Sequence, residues 1–213
     1  MRLWRVDLQH AEAAGRFLCL TPEEHERANR FYFEHGRRRF RAARSALRVL
    51  LGMQLGIAPE ALQLDTGEYG KPFVVQAPGC EFNLSHSDEL ALVGIATDGR
   101  VTGGIGVDVE VTRTLSDAEA LAVRHFSADE LAAVRAGDSV GRNQAFLRVW
   151  TRKEACIKAV GSGLSIAPET FEAGAERGRR EARLVLAGRA MSVEVQSLPL
   201  AKDEFAAVAR VLA

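Results

Sequence analysis

The pattern of hydrophobic and polar positions predicts a mixture of short strands and helices. Alternation with a period of two residues at 2–8 and 104–111 predicts strands, because successive side chains of a strand point to opposite faces. Two more apolar stretches flank a polar turn, which is expected to contain Ser85 and His86, and three follow towards the C-terminus. The remaining predicted strands therefore lie at 80–87, 90–97, 182–187, 190–198 and 204–212.

Helical spacing of apolar residues predicts five helices. The first begins at Thr21, a suitable N-cap residue because Pro22 and Glu24 follow at the first and third helical positions. A long helix is expected from Arg37 to Met53. Its apolar face consists of Phe40, Ala43, Leu47, Leu50 and Leu51. The later helices are predicted at 118–124, 128–136 and 144–160.

The order of predicted elements repeats once within the chain. In each half a capped helix precedes a long helix, a glycine turn and the sequence Ile-Ala-Pro-Glu, which begins at Ile57 and again at Ile166. Chance similarity between helix caps is the alternative explanation. The common order favours an α+β fold of two similar α/β halves, 1–102 and 103–213, in a pseudo-twofold arrangement. Each half is expected to pack a small antiparallel sheet on its long helix, with the active site in the cleft between them.

Composition and charge exclude several classes of protein. Hydrophobic residues make up 47% of the 213 residues, which is enough for a packed core and argues against disorder. The formal net charge of zero provides no bulk attraction to nucleic acid or to a membrane surface. Cys19, Cys80 and Cys156 have neither metal-binding nor disulfide spacing, and no stretch resembles a signal peptide or a membrane span. We therefore expect a soluble cytoplasmic protein.

Two carboxylates lie two residues apart on a predicted strand. Asp108 and Glu110 point to the same side of that strand, and the valines between them indicate that the opposite face is buried. The alternative is an ordinary amphipathic strand with one face in water. Neighbouring carboxylates repel each other unless a cation lies between them, and a small set of hard oxygen ligands suits Mg²⁺.

The stretch 150–158, with the sequence WTRKEACIK, supplies a third carboxylate. Trp150, Glu154 and Lys158 are four residues apart and therefore form one stripe on a helix. A surface pair between Glu154 and Lys158 would give the same letters and would contribute little stability. The surrounding residues are apolar, however, which indicates that these charges are partly buried and need partners.

The predicted long helix near the N-terminus carries an excess of arginine. Eight arginines occur between residues 27 and 48, and Arg37, Arg41, Arg44 and Arg48 share one helical face. A solvated basic face, a nucleic-acid contact and a site for a multiply phosphorylated small molecule all remain open, since the guanidinium group binds phosphate well. Phosphate loops, nucleophile elbows and cysteine–histidine metal clusters are absent from the sequence.

The motifs together resemble those of a known enzyme family. GVDVE at 106–110, followed after about forty residues by WTRKEACIKAVGSGL, resembles the signature pair of the 4′-phosphopantetheinyl transferases. EYGKPF at 68–73 and FNLSHS at 82–87 are similar to two further motifs of the longer, surfactin-synthetase-activating (Sfp-like) type. The resemblance covers residues 21–164, and four motifs in the same order make it specific.

The resemblance implies a function and a set of site residues. Enzymes of this family transfer 4′-phosphopantetheine from coenzyme A to a serine of an apo acyl or peptidyl carrier protein, with Mg²⁺ or Mn²⁺, and release 3′,5′-adenosine bisphosphate. The implied metal ligands are Asp108, Glu110 and Glu154. The implied catalytic residues are Glu154, Lys158 and Asp108, with Glu154 accepting the serine proton. The implied coenzyme A contacts are Tyr69, Gly70, Lys71, Pro72, Ser85, His86, Asp108, Lys158 and either Arg39 or Arg44.

Two other functions compete with the transferase on sequence grounds. A different Mg²⁺-dependent phosphoryl enzyme, such as a nuclease, would share the carboxylates but would not need the motifs at 68–73 and 82–87. A nucleic-acid binder would use the arginine-rich helix, which the net charge of zero disfavours. We expect no nucleic-acid or membrane partner and a monomer built from two similar halves. The charged segment Glu172–Arg183 is predicted to be a surface turn without a role.

Overall fold

The computed structural model describes residues 1–13, 19–97 and 103–212. These residues form an α+β fold in which small antiparallel sheets pack on helices in two successive halves, as predicted. The predicted boundary at residue 102 lies outside the described residues. None of the described helices combines the length and the apolar character needed to cross a membrane.

The N-terminal half packs a three-stranded sheet on a long helix. Its strands occur in the spatial order β1-β5-β4, with a separate hairpin formed by β2 and β3. Apolar side chains of α3 such as Leu47 and Leu51 pack on Phe82, Val93 and Ile95 of the sheet. The elements are β1 Arg2–Asp7, α1 Leu8–Ala13, α2 Pro22–Asn29, α3 Glu34–Leu55, β2 Leu64–Thr66, β3 Pro72–Val74, β4 Glu81–Ser87 and β5 Leu90–Ala96.

The C-terminal half packs a four-stranded sheet on a second long helix. Its strands occur in the order β6-β9-β8-β7, all antiparallel, and α6 lies across β6, β9 and β8. Gly106 in β6 allows close contact, because a Cβ atom there would lie 2.1 Å from the Ala155 carbonyl oxygen of α6. The elements are β6 Ile105–Val111, α4 Ala118–His125, α5 Ala128–Arg135, α6 Ser139–Val160, β7 Arg180–Leu186, β8 Arg189–Ser197 and β9 Glu204–Val211.

The repeat predicted from the sequence is present in the helices. Thr21 and Ser127 each form a capping box with a glutamate three residues later. The long helices α3 and α6 both contain 22 residues, and each ends at a glycine with positive φ, Gly56 at 68° and Gly161 at 74°. Residues of α6 therefore correspond to residues of α3 with numbers lower by 105, since 161 minus 56 is 105.

Each capping-box glutamate also forms a buried ion pair with its long helix. In the N-terminal half Glu24 binds Arg48 at 2.7 Å, and Arg48 donates to the carbonyls of Pro59 and Leu62. We call these two ion pairs the N-lock (Glu24 with Arg48) and the C-lock (Glu130 with Lys153).

The C-lock repeats the same bonding pattern. Glu130 binds Lys153 at 2.7 Å, and Lys153 donates to the carbonyls of Pro168 and Phe171. Arg48 and Lys153 differ by 105 in number, and so they occupy the same position in their helices. Chance similarity of helix caps does not account for two locks with matching carbonyl partners.

The two sheets meet where β4 lies beside β6. These strands belong to separate sheets, and side chains join them. The Val107 amide donates to Asn83 Oδ1 at 2.9 Å, and the Val111 amide donates to Ser87 Oγ at 3.2 Å. We call this contact the seam. In each of the two bonds the residue numbers of donor and acceptor differ by 24.

Some local predictions were wrong. Ser85 and His86 lie within β4 and not in a turn, because β4 continues to Ser87. The segment Glu172–Arg183 is not a simple surface turn, since its end belongs to β7 and the amides of Ala173 and Gly174 donate to Glu130. Helices α3 and α6 are longer than predicted, and α1 and β2 were not predicted.

Candidate active site

A pocket of about 350 Å³ lies in the cleft between the halves. One wall comes from the turn between β2 and β3 and from β4, and the other comes from α6 and the segment that follows it. The pocket thus brings three of the four sequence motifs together. Its lining includes Tyr69, Gly70, Lys71, Pro72, Asn83, Glu154, Ile157, Lys158 and Gly161.

Asp108, Ser85 and Lys158 form a hydrogen-bonded chain beside this pocket. Lys158 Nζ lies 2.5 Å from Asp108 Oδ1 and 3.2 Å from Ser85 Oγ. The Ser85 hydroxyl donates to Asp108 Oδ1 at 2.7 Å. The three residues come from β6, β4 and α6, so the chain depends on the packing of both halves.

Burial dominates the electrostatics of Asp108. Its side chain is 5% exposed, and burial raises its pKa to about 6, although Lys158 and Ser85 act in the opposite direction. The charge of Glu154 raises the pKa further. Asp108 Oδ2 is buried and accepts no hydrogen bond from the described residues. A buried acceptor without a donor is costly, and a bound cation would satisfy it.

The other two predicted metal ligands differ in their surroundings. Glu154 forms neither a hydrogen bond nor an ion pair with any described residue and lines the pocket. Glu110 accepts from Ser87 Oγ at 2.8 Å and from Arg113 at 2.9 Å. No three acidic, histidine or cysteine side chains among the described residues are arranged as a ready metal cluster. The carboxylates fit Mg²⁺ in ligand chemistry, and the available oxygens are Asp108 Oδ2 and those of Glu154.

A group of positive charges surrounds His86. Partial desolvation of the ring lowers the pKa of His86, and the charges of Lys158 and then Arg39 lower it further. Arg39 reaches this position because its guanidinium binds Glu89 at 2.9 Å and Asp88 at 3.3 Å, in the turn between β4 and β5. Carboxylates pair with both cations, so an anion such as phosphate would compete with them for Lys158 and Arg39.

Lys71 is anchored in the C-terminal half. Its Nζ donates to the carbonyls of Ala159 at 2.9 Å and Ile105 at 3.1 Å, and lies 3.4 Å from Glu81. Burial lowers the pKa of Lys71, against the charge of Glu81. The structure therefore directs its ammonium group to the backbone at the rear of the pocket and leaves the aliphatic chain as part of the wall.

Arg44 lies away from the pocket, and its charge does not act on His86 as that of Arg39 does. Its guanidinium binds Glu24 at 2.5 Å, beside the N-lock. Other arginines of the same helical face join α3 to the α2–α3 connection, with Arg37 donating to Phe31 and Tyr32 carbonyls and Arg41 to Asn29. The arginine-rich face is thus largely engaged within the protein. Lys153 is also remote from the site chemistry, because it is buried in the C-lock.

Sequence reasoning missed two residues of the seam that position the site. Asn83 lines the pocket and binds the Val107 amide, and Ser87 binds both Glu110 and the Val111 amide. Both alternate with Ser85 on β4. A period-two pattern of small polar residues within an otherwise apolar strand was the available signal, because such residues share one face.

Comparisons with known proteins agree on one family for both halves. Residues 104–209 match the model of the 4′-phosphopantetheinyl transferase superfamily, and residues 3–98 match the model of the 4′-phosphopantetheinyl transferase N-terminal domain. The chain is 40% identical over 170 residues to the 4′-phosphopantetheinyl transferase HetI of Nostoc sp., covering 78% of this chain and 70% of that protein.

Two relatives from Bacillus give the same result. The 4′-phosphopantetheinyl transferase Sfp of Bacillus subtilis is 30% identical over 161 residues, which cover 75% of this chain and 69% of Sfp. The 4′-phosphopantetheinyl transferase psf-1 of Bacillus pumilus is 32% identical over 192 residues, which cover 86% of this chain and 79% of psf-1.

Proposed function

The chain belongs to the 4′-phosphopantetheinyl transferase superfamily, and we infer that it transfers the 4′-phosphopantetheine group of coenzyme A to a serine of an apo carrier protein. The observation that carries this inference is the cleft between the halves. There the Tyr69–Pro72 turn meets Glu154 and the chain formed by Asp108, Ser85 and Lys158. A long two-part substrate such as coenzyme A fits a cleft with walls from both halves.

We propose Mg²⁺, with Mn²⁺ as a substitute, as the metal of this reaction. Asp108 and Glu154 would hold it, with Glu110 as a third ligand if its contacts with Ser87 and Arg113 rearrange. The orphaned Asp108 Oδ2 supports this assignment. Bound there, the metal would neutralise charge on the pyrophosphate oxygens.

Glu154 is the proposed acceptor of the serine proton. In the transfer the serine oxygen forms a bond to the phosphorus next to the pantetheine arm, and the bond to 3′,5′-adenosine bisphosphate breaks. The serine proton moves to a carboxylate, directly or through water. Glu154 suits this role because no described residue occupies it with a hydrogen bond or an ion pair, and it faces the pocket.

The cations beside the cleft are the proposed phosphate contacts. Lys158 would leave its bond to Asp108 in part and bind the pyrophosphate, while His86 and Arg39 would bind phosphate at the mouth. Tyr69, Gly70 and Pro72, with the aliphatic part of Lys71, would form the wall for the adenosine end. Lys158 and Arg39 would supply positive charge to the phosphates, while His86, whose pKa is lowered, would act as a hydrogen-bond partner.

The cellular setting is also a proposal. The three cysteines are buried thiols that form no disulfide, which supports a reducing compartment such as the cytoplasm. We propose a monomer, since the cleft takes both walls from one chain. The carrier protein would belong to a fatty-acid, polyketide or non-ribosomal peptide synthase.

A transfer assay tests the proposed function directly. Purified protein is incubated with coenzyme A, MgCl₂ and an apo carrier protein, and the carrier is weighed by mass spectrometry. We expect the mass of one phosphopantetheine to be added, the addition to stop in excess EDTA, and Mg²⁺ or Mn²⁺ to restore it. Asp108→Ala should lower the rate at least about 100-fold. An unmodified carrier in the presence of Mg²⁺, or full activity in chelator, would contradict the proposal.

A further inference from the structure

A second, larger pocket of about 720 Å³ lies on another side of α6. We call it the back pocket. One wall is apolar and is built by the connection between β8 and β9. The other wall carries positive charge from α6 and from the segment before β7. The apolar wall consists of Leu198, Pro199, Leu200, Phe205 and Ala206, the charged wall includes Arg148 and Arg177, and Lys202 adds a further positive charge from the connection between β8 and β9.

The positive charges of the back pocket are not balanced by carboxylates. Arg148 donates only to the Ala175 carbonyl at 3.5 Å, and neither Arg177 nor Lys202 forms an ion pair with any described residue. Glu204 also lines the pocket, but Arg5 binds it through two nitrogens. Burial lowers the pKa of Arg148, and the nearby charge of Arg177 lowers it further.

A buried arginine directly behind the wall adds to this charge. Arg152 has a side chain that is 0% exposed, and it donates to the Gly178 carbonyl and to Ser197 Oγ, both of which line the back pocket. Its Nη2 makes no hydrogen bond within the described structure, and the nearest carboxylate oxygen, of Glu176, lies at 3.9 Å. A buried cation with an unused donor favours an anion nearby.

The back pocket is distinct from the candidate active site. On the α6 side it is lined by Gln144, Arg148 and Thr151. It shares no described lining residue with the cleft, which is lined by Glu154 and Lys158 of the same helix. Coenzyme A in the cleft therefore does not fill it.

We propose that the back pocket binds a small molecule that carries a phosphate or carboxylate group on an apolar chain. A concave volume of several hundred Å³ with an apolar wall and a few converging polar groups is typical of sites for small ligands. The anionic group would lie against Arg148 and Arg177, and the chain against Leu198, Leu200 and Phe205. A ligand that carries both parts contacts both walls of the back pocket, whereas a purely polar or a purely apolar molecule matches only one wall.

Titration calorimetry with defined probes tests this proposal. Hexyl phosphate and hexanoate carry both parts, inorganic phosphate carries only the charge, and hexanol carries only the chain. All four are titrated into the full-length protein, with and without saturating coenzyme A. We expect at least one two-part probe to bind at least tenfold more tightly than inorganic phosphate or hexanol, and coenzyme A to change its affinity less than about twofold.

Two variants locate the site. The double variant Arg148→Gln with Arg177→Gln should lose at least about tenfold in affinity, as expected for two charge-assisted contacts. The matched control is Arg183→Gln, because Arg183 is an exposed arginine of β7 that does not line the pocket. Unchanged coenzyme A binding and thermal unfolding show that the double variant is folded.

Three results would overturn the proposal. No probe binding at millimolar concentration would show that the back pocket does not take this class of ligand. Displacement by coenzyme A would assign the binding to the cleft. Equal affinity for the wild type and the folded double variant would place the anion elsewhere.

Discussion

The two halves share one framework, but their locks differ in detail. Glu24 of the N-lock has a second arginine partner, Arg44, whereas Glu130 of the C-lock receives two backbone amides, from Ala173 and Gly174. Each of the two side chains of the C-lock is only 1% exposed. The C-lock is therefore the more isolated pair, and it lies on the helix that also carries the candidate catalytic residues.

A second difference concerns the first strand of each half, β1 or β6, and the side chains that this strand directs towards the long helix. Trp4 and Val6 of β1 pack on the apolar cluster around α3, whereas β6 presents Asp108 and Glu110 on the side that faces α6. Val49 occupies the position in α3 that Glu154 occupies in α6. The comparison teaches that one scaffold can hold either apolar side chains or a site between its first strand and its long helix, depending on a few inward positions.

Removal of the cation from each lock should give the largest effect. Lys153→Met leaves Glu130 buried without a counter-ion, and we expect a loss of about 3–5 kcal/mol in the free energy of unfolding. Arg48→Met leaves Glu24 with Arg44, so the loss should be smaller, about 1–3 kcal/mol. Urea denaturation of both variants measures the difference. A larger loss in Arg48→Met would reverse our comparison of the locks.

Substitutions at the matching positions 154 of α6 and 49 of α3 should have very different effects on the transfer rate. Glu154→Gln keeps the shape of the side chain but removes its charge and basicity, so single-turnover transfer should fall at least about 100-fold. Coenzyme A affinity should change much less, as for a group used mainly in the transition state. Val49→Gln, at the same position of α3, should leave the transfer rate within about twofold. Near-wild-type transfer by Glu154→Gln would remove its proposed role.

Two arginines of α3 should differ in their effect on coenzyme A affinity. Arg39→Ala removes a cation beside His86 and should weaken coenzyme A binding by about 1.5–3 kcal/mol in calorimetry. Arg44→Ala removes a partner of Glu24 and should change that affinity by less than about 0.5 kcal/mol. If Arg39 binds the 3′-phosphate, its variant should also discriminate poorly between coenzyme A and the dephospho form. The opposite ranking would assign the phosphate contact to Arg44.

The carboxylate of the N-lock should give the smallest effect on stability, visible as a pH dependence. Burial acts to raise the pKa of Glu24, but hydrogen bonds from Arg48, the Thr21 amide and Arg44 outweigh it and hold the pKa below the ordinary value of 4.5. A carboxylate with a lowered pKa stabilises the fold above its unfolded pKa, and this stabilisation is lost as the pH falls through the folded pKa.

Glu24→Gln tests this linkage. The variant should be less stable than the wild type by about 1 kcal/mol at neutral pH, and the difference should shrink as the pH falls below 4.5. Glu26→Gln on the exposed side of α2 is the control. A difference that stays constant down to acidic pH would show that charge is not the source of the stability.

Much of the fold followed from local signals in the sequence. The Thr21 capping box and the spacing of Leu47 and Leu51 predicted α2 and the centre of α3, because caps and apolar stripes are local properties. Ser85 and His86 were expected in a turn at the end of β4, since they are polar and resemble turn residues. Their place in the strand depends on pairing with Leu92 and Ala91 of β5, which a local pattern does not reveal.

The site was less predictable than the fold because its contacts join distant parts of the chain. The sequence motifs identified Asp108, Glu154 and Lys158, and the structure brings Lys158 to Asp108 across 50 residues. The direction of Lys71 towards the carbonyls of Ala159 and Ile105 depends on how the halves pack, so spacing could not reveal it. The burial of Lys153 in the C-lock likewise depends on tertiary packing, which the sequence pattern did not reveal.

The seam between β4 and β6 connects substrate binding in the cleft with the stability of the contact between the two halves. Asn83 and Ser87 join the strands with single side-chain bonds, where a backbone ladder would supply a regular series. Separation of the halves breaks these bonds and the other side-chain bonds between the halves, with no backbone ladder between β4 and β6 to hold the strands together. A ligand that contacts both walls acts as a clamp, and at 100 times its dissociation constant it adds about 2.7 kcal/mol against opening. Amide hydrogen exchange at Val107 and Val111 should slow when coenzyme A binds, which makes the seam a reporter of occupancy.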